Sequence, residues 1–283
     1  MRQLKHFRAL YICLAKTYFS ALLRVSRALF GRRLLILRLP ETLGDCLVYT
    51  FVASEIKARF YPIKIVLATN KPELFCDNPN VDRLLKLNRF TKVFLPYLHY
   101  TACFGYKGKQ TKVAYMLLDI LGAPPPYPAV RCDMRIDDEE LAPRRAELPS
   151  RFVVVNPNGS PLFKNDWRDW GFERYQAVVD SMSDIQFVQI GSAGDRLLAG
   201  VIDMRGKPIR VSASIIKLSQ AGLFQDGGLM HLANAVGTPC VIVWQRSPQG
   251  YAYDSNINLT RENDSPIEPP CVVVALKTLL QSA

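Results

Sequence analysis

Histidine is scarce in this chain, with three in 283 residues, and no two of the seven cysteines form a Cys-x-x-Cys pair. These shortages remove the usual donor sets of a zinc site, so neither a metal nor another cofactor is expected. The cysteines (Cys13, Cys46, Cys76, Cys103, Cys132, Cys240 and Cys271) are odd in number and scattered. That is the pattern of reduced thiols in a cytoplasmic setting, not of a disulfide framework. Acidic residues are absent before Glu41, whereas nine Lys and Arg residues fall within the first 40 positions. Of the net charge of +11, those nine leave +2 for all the rest. A basic arm on a nearly neutral body does not fit a protein that is basic throughout for nucleic acid, and no such partner is expected. The arm also lacks a long apolar run, because Lys16, Arg24 and Arg27 interrupt it. It therefore reads neither as a transmembrane span nor as a signal peptide.

What is present is a globular composition, 49% hydrophobic and 22% charged, at a length that suggests two domains of ordinary size. In the arm, Leu4, Phe7, Tyr11, Leu14, Tyr18, Ala21, Val25 and Ala28 recur at spacings of three and four, with the basic residues on the other side of the wheel. This predicts an amphipathic helix from about Gln3 to Phe30, and residues 1–31 are read as one segment. Two readings stand open. The helix lies on the anionic inner leaflet of the membrane, where each basic residue is worth roughly 1 kcal/mol, or it packs on protein.

The body opens with short apolar runs of the kind buried in a parallel sheet. Leu34 to Leu39 reads as a strand, Cys46 to Phe60 as a helix with apolar positions Leu47, Val48, Phe51, Val52 and Ile56, and Ile63 to Ala68 as the next strand. Leu84 to Leu87 follows as a short strand. Together they make a right-handed βαβ unit, the start of a Rossmann-like layer. Val113 to Leu121 reads as a helix. A polar stretch through Asp137-Asp138-Glu139-Glu140 and Pro143-Arg144-Arg145 reads as the passage between domains, with the boundary near residue 148. A second layer begins at Phe152-Val153-Val154-Val155 and continues with a strand at Ile185 to Ile190, a helix at Ser214 to Ala221, a strand at Cys240 to Trp244 and a helix at Val272 to Leu280.

Between the last two strands lies Gln225-Asp226-Gly227-Gly228-Leu229-Met230-His231-Leu232-Ala233-Asn234-Ala235-Val236-Gly237-Thr238-Pro239. A glycine-opened helix start presents unpaired amides and the positive end of the helix dipole, which together favour an anion such as a diphosphate. The plainer alternative is a helix start whose glycines only permit a tight turn.

This stretch resembles the donor motif of glycosyltransferase family 9, the bacterial heptosyltransferases of lipopolysaccharide biosynthesis. There an Asp-Ser/Thr-Gly-x-x-His sequence leads into Leu-Ala-x-Ala-x-Gly-Thr-Pro. Asp226, Gly228, His231 and Gly237-Thr238-Pro239 match, and Gly227 departs from the usual hydroxyl residue. Thr42-Leu43-Gly44-Asp45 resembles the family's Leu-Gly-Asp loop, whose aspartate is the proposed general base. Asp45 as a plain helix cap is the alternative. Arg168-Asp169-Trp170 resembles its Lys-x-Trp segment, with Arg168 in place of the lysine near the donor phosphates and Lys164 as a rival. The apolar strand ending in Asn156-Pro157-Asn158-Gly159 resembles the family's strand ending in His-Pro-Gly, a loop that faces the donor. Gly191-Ser192-Ala193-Gly194-Asp195 resembles its Gly-Gly-x-x-Asp/Glu turn before a helix, with Asp195 either on a ribose hydroxyl or capping that helix. Arg246 is a further candidate for phosphate contact.

The resemblance implies an α/β protein of GT-B type, two Rossmann-like domains facing across a cleft, here with the N-terminal helix added. Residues 32–148 would form the acceptor domain and 149–283 the nucleotide-sugar domain. It implies an inverting glycosyltransferase that moves heptose from a nucleotide-sugar, ADP-heptose by family pattern, to a lipid-linked or glycan acceptor at the inner membrane face. Asp45 is then catalytic. Arg168, Asp195, Asp226, Gly227, Gly228 and His231 bind the donor, with His231 as a satisfied core residue the alternative; no acceptor residues are assigned. Another sugar, a protein acceptor, a non-catalytic nucleotide-binding relative, or an interaction protein assembling through its N-terminal helix remain alternatives.

Overall fold

The computed structural model describes residues 34–97, 112–158, 168–245, 248, 250–261 and 265–282, with residue 21 alone before them. The expected helix over residues 3–30 and the candidates Lys164 and Arg246 lie outside these. The chain divides into two compact units, Met1–Val130 and Arg131–Ala283. Elements are numbered among the described residues.

In the first unit, β1 (Leu34–Arg38), α1 (Leu43–Arg59), β2 (Lys64–Thr69) and β3 (Arg83–Lys86) form the expected βαβ layer, followed by α2 (Arg89–Phe94) and α3 (Val113–Ile120). The sheet order is β1-β2-β3 and both pairings are parallel, with Leu34 opposite Lys64 and Val66 opposite Arg83. Leu35 and Leu37 alternate inward from β1. The five apolar positions expected of α1 are all buried. The helix begins earlier than its apolar spacing suggests. Thr42 is the last extended residue, so Leu43, Gly44 and Asp45 make the first turn.

In the second unit, β4 (Val153–Val155), β5 (Phe187–Gln189), β6 (Ile202–Asp203), β7 (Ala221–Gln225), β8 (Cys240–Trp244) and β9 (Ile257–Thr260) form one sheet ordered β6-β5-β4-β7-β8-β9. Each neighbouring pair is parallel. Counted within the unit this is the order 3-2-1-4-5-6 of a doubly wound Rossmann sheet, whose direction of winding reverses between β4 and β7. β4, β7 and β8 are buried at every position, as strands covered on both faces must be. Val153, Val155, Leu223 and Val241 share one core with Tyr175 and Val178 of α5 (Phe172–Asp180) and Val272 and Leu276 of α8 (Pro269–Ser282).

Three sequence expectations change. The helix placed at Ser214 to Ala221 is α6 (Ile209–Leu218), and Ala221 already opens β7. Ser219 is extended and the Gln220 N–H bonds Phe152 O at 3.1 Å, which starts the ladder with β4. A five-residue apolar run carries no periodicity that separates a buried strand from a helix. The helix expected after Asp195 is absent among the described residues, where β5 is joined to β6 by an irregular link. The polar stretch after residue 136 forms α4 (Asp138–Glu147), opened by a capping box between Asp137 and Glu140. α4 packs on α6, where Arg210 Nε donates to Glu140 Oε1 at 2.6 Å. Ahead of it, Cys132 N donates to Asn234 Oδ1 at 2.8 Å and Met134 N to Ala235 O at 3.0 Å. These bonds attach residues 131–147 to the second unit, so the units part between Val130 and Arg131, ahead of residue 148.

No helix among the described residues is long and apolar enough to cross a membrane.

Candidate functional site

Ligands of open parallel sheets sit beyond the carboxyl ends of the strands where the winding reverses. Here those ends are Val155 on β4 and Gln225 on β7. Asp226 follows β7 directly and is half-buried. Gly227 is the N-cap of α7 (Gly228–Val236), and it supplies no side-chain cap to the first amides of the helix. Its φ of 174° is extended backbone that any residue adopts, and a Cβ there would meet nothing nearer than Gln225 O at 3.9 Å. A tight turn therefore does not account for glycine at 227, which removes the plainer reading of this helix start at that position. At the other end Gly237, with φ of 85°, closes the helix in the left-handed conformation.

The Arg168 segment meets this helix start through the backbone. Trp170 N donates to Gln225 Oε1 at 3.3 Å, and the buried indole donates from Nε1 to Ile267 O at 2.7 Å. Gly171 N bonds Asp169 Oδ1 at 2.9 Å, and Arg174 Nη1 bonds Trp170 O at 2.8 Å. Arg168, half-buried, lies two residues before the Trp170 anchor, so the segment is held to Gln225, the residue before Asp226. Nothing in the sequence marked Gln225 as the residue that joins the two.

Asp195 is engaged by the neighbouring loops. Its Oδ2 accepts the Ser192 N–H at 2.8 Å and lies 3.4 Å from Asn156 Nδ2. Asn156 Nδ2 also donates to Ile190 O at 2.7 Å, and its Oδ1 accepts from Asn158 N at 3.2 Å. The loops after β4 and β5 are thus fastened to each other around Gly191, whose φ is 139°. A Cβ at 191 would stand 2.3 Å from both Asn156 Nδ2 and Asp195 Oδ2, so the close approach needs glycine. With no helix behind it, Asp195 caps none.

His231 sits one turn into α7 and is buried. Its Nδ1 is 2.6 Å from Tyr253 Oη, and the Tyr251 and Tyr253 rings meet it edge-on at 5.4 and 5.5 Å. Tyr253 Oη is also 3.2 Å from Cys132 Sγ. No local pattern pointed to these partners, which come from the segment after β8 and the irregular stretch before α4.

Asp45, in the first unit, lies on the first turn of α1 as its third residue, half-buried. The N-cap is Thr42, so Asp45 is not the cap. The Thr42 hydroxyl donates to Asp45 Oδ2 at 2.5 Å instead of capping the helix, which fixes the carboxylate at the carboxyl end of β1. Nearby, Glu41 pairs with Lys92 at 2.6 Å, and Lys92 O accepts from Arg38 Nη1 at 2.6 Å.

Parallel sheets in both units and a Rossmann strand order in the second define a doubly wound α/β protein. No protein-family model matches the sequence, and no curated protein matches it either. Solved structures do match. A glycosyl transferase of family 9 from Veillonella parvula superposes with a TM-score of 0.70 at 14% identity, over 89% of this chain and 98% of that one. The E. coli ADP-heptose LPS heptosyltransferase II gives 0.67 at 16% identity, over 88% and 99%. E. coli heptosyltransferase WaaC, solved with ADP, gives 0.59 at 12% identity over the same shares. The chain has the fold of the family 9 glycosyltransferases.

Proposed function

We propose that this protein is an inverting glycosyltransferase that transfers heptose from ADP-heptose to a lipid-linked or glycan acceptor. One observation carries the reading: an uncapped helix start, opened by Gly227, at the carboxyl end of β7 beside the reversal of the sheet. Such a start favours a diphosphate through its amides and its dipole. The names of the neighbouring structures, an ADP-heptose heptosyltransferase and WaaC with ADP, support ADP-heptose as the donor in this reading.

In this reading the two units act as the two halves of a GT-B enzyme. Asp45, oriented by Thr42, takes the proton from the acceptor hydroxyl, and the oxygen attacks the anomeric carbon opposite the nucleotide. Negative charge grows on the departing diphosphate. The amides at Gly228, the guanidinium of Arg168 and the imidazole of His231 stabilise it there. Asp226 organises the loop, and the basic arm of residues 1–31 holds the enzyme on the inner leaflet, where a lipid-linked acceptor lies.

Isothermal titration with ADP, ADP-heptose, UDP and GDP tests the donor. ADP compounds are expected to bind, and Asp226→Ala to weaken them at least tenfold, about 1.4 kcal/mol. Binding of UDP or GDP alone discards heptose, and binding of none discards the donor site.

A nucleotide-binding relative without turnover is the second reading. It is favoured by Asn156 and Asp195, whose side chains are engaged in the link between the β4 and β5 loops. Sugar transfer that is lost in Asp45→Ala excludes it.

A further inference from the structure

His231 and Asn234 lie three residues apart on one face of α7, and both are tied to chain far away in sequence. Asn234 holds the backbone of Cys132, while His231 Nδ1 and Cys132 Sγ both reach the same Tyr253 hydroxyl, at 2.6 and 3.2 Å. All four side chains are buried, with His231 5% and Tyr253 3% exposed. Chemistry, not distance, gives the direction of the chain of protons. A phenol is a stronger acid than a neutral imidazole N–H, and an imidazole nitrogen is a stronger base than a phenol oxygen. The favoured arrangement has the phenol giving its proton to Nδ1 and the thiol giving its own to the phenol oxygen. An imidazole that accepts at Nδ1 carries its proton at Nε2.

We propose that Tyr253 is a positioning residue. By donating to His231 Nδ1 it locks the imidazole in the Nε2–H tautomer, as a fixed hydrogen-bond donor for the diphosphate of the bound nucleotide. The inference rests on the reading of the α7 start as the diphosphate site. Side chains of a helix lean toward its N-terminus, so His231, one turn in, leans toward the amides at Gly228. The two tyrosine rings, edge-on to the imidazole, fix its plane. Such a donor needs no reorganisation as charge develops on the leaving group.

Nitrogen-15 spectroscopy of the histidine-labelled full-length chain tests this. Only His6, His99 and His231 contribute, and His231→Gln identifies the third signal. The expected result is a pyridine-type Nδ1 and a pyrrole-type Nε2 for His231, an Nε2 signal that moves when ADP is added, and loss of the tautomer preference in Tyr253→Phe. Tyr253→Phe and His231→Gln should each weaken ADP binding about tenfold, with the double variant no weaker than His231→Gln alone. A proton on Nδ1 in the wild type, or an unchanged tautomer in Tyr253→Phe, overturns the positioning role. ADP that binds without moving the Nε2 signal overturns the diphosphate contact. Failure of ADP to bind the wild type overturns the nucleotide reading, and the tautomer measurement, made without ligand, is a separate result.

Discussion

The side-chain oxygen of Gln225 accepts the backbone N–H of Trp170 at 3.3 Å, and this bond joins the loop of Arg168 to the last residue of the strand that precedes Asp226. Both partners are buried. Gln225→Leu keeps the volume and leaves the Trp170 amide without its acceptor, at a cost of about 1–3 kcal/mol. Urea unfolding should show that loss, and titration should show weaker ADP binding as the Arg168 loop comes loose. Unchanged ADP affinity in the folded variant would separate Arg168 from the donor.

Asp45 and Thr42 should separate chemistry from binding. Asp45→Asn removes the general base and should lower kcat by roughly 10²–10⁴-fold with ADP affinity unchanged. Thr42→Val removes only the hydrogen bond that orients the carboxylate, so a smaller loss of kcat is expected. Steady-state kinetics with ADP-heptose checks both, and full turnover in Asp45→Asn would refute the mechanism.

Two glycines should respond in opposite ways. Gly191→Ala places a methyl 2.3 Å from two side chains at a φ of 139°, and should cost about 1–3 kcal/mol in thermal or urea unfolding. Gly227→Ser fits extended backbone with open space and supplies the missing N-cap, for a gain of a few tenths of a kcal/mol.

In the second unit, two paired carboxyls contribute to the response to acid. The Arg205 guanidinium holds Asp203 down to about 2, and Arg210 holds Glu140 below its ordinary value. A carboxyl depressed on folding stabilises the protein above its unfolded value, near 4, and loses that contribution as pH falls through its folded value. For Asp203 the window runs from about pH 4 to about 2. Both pairs are partly exposed, so solvent screens them and each contribution is small. Urea midpoints of the wild type should converge on those of Asp203→Asn and Glu140→Gln as the pH drops from 5 to 2.

Thiol reactivity should follow burial. Cys46 is pushed up to about 12 by burial, and burial also raises Cys240. Cys76 and Cys271 are exposed. Alkylation at pH 8 followed by mass spectrometry should mark Cys76 and Cys271 in the native protein, and Cys46 and Cys240 only after unfolding.

The sequence by itself determined the parallel α/β pattern: β1, α1 and β8 follow from local apolar spacing, and α7 from its glycine-bounded start and stop. It also marked Asp45, Asp226 and the Arg168 segment as candidates, because the signals that single them out lie within a few residues. Tertiary structure alone decided the rest. Ala221–Gln225 is a strand because it pairs with β4 and β8, residues 131–147 belong to the second unit because Asn234, Ala235 and Arg210 hold them, and Asp195 is engaged because Asn156 and Ser192 surround it. His231 meets Tyr253 across 22 positions of sequence. Local periodicity records the face a residue shows to the core, whereas the partner of a buried polar group is fixed by which distant segments fold against it.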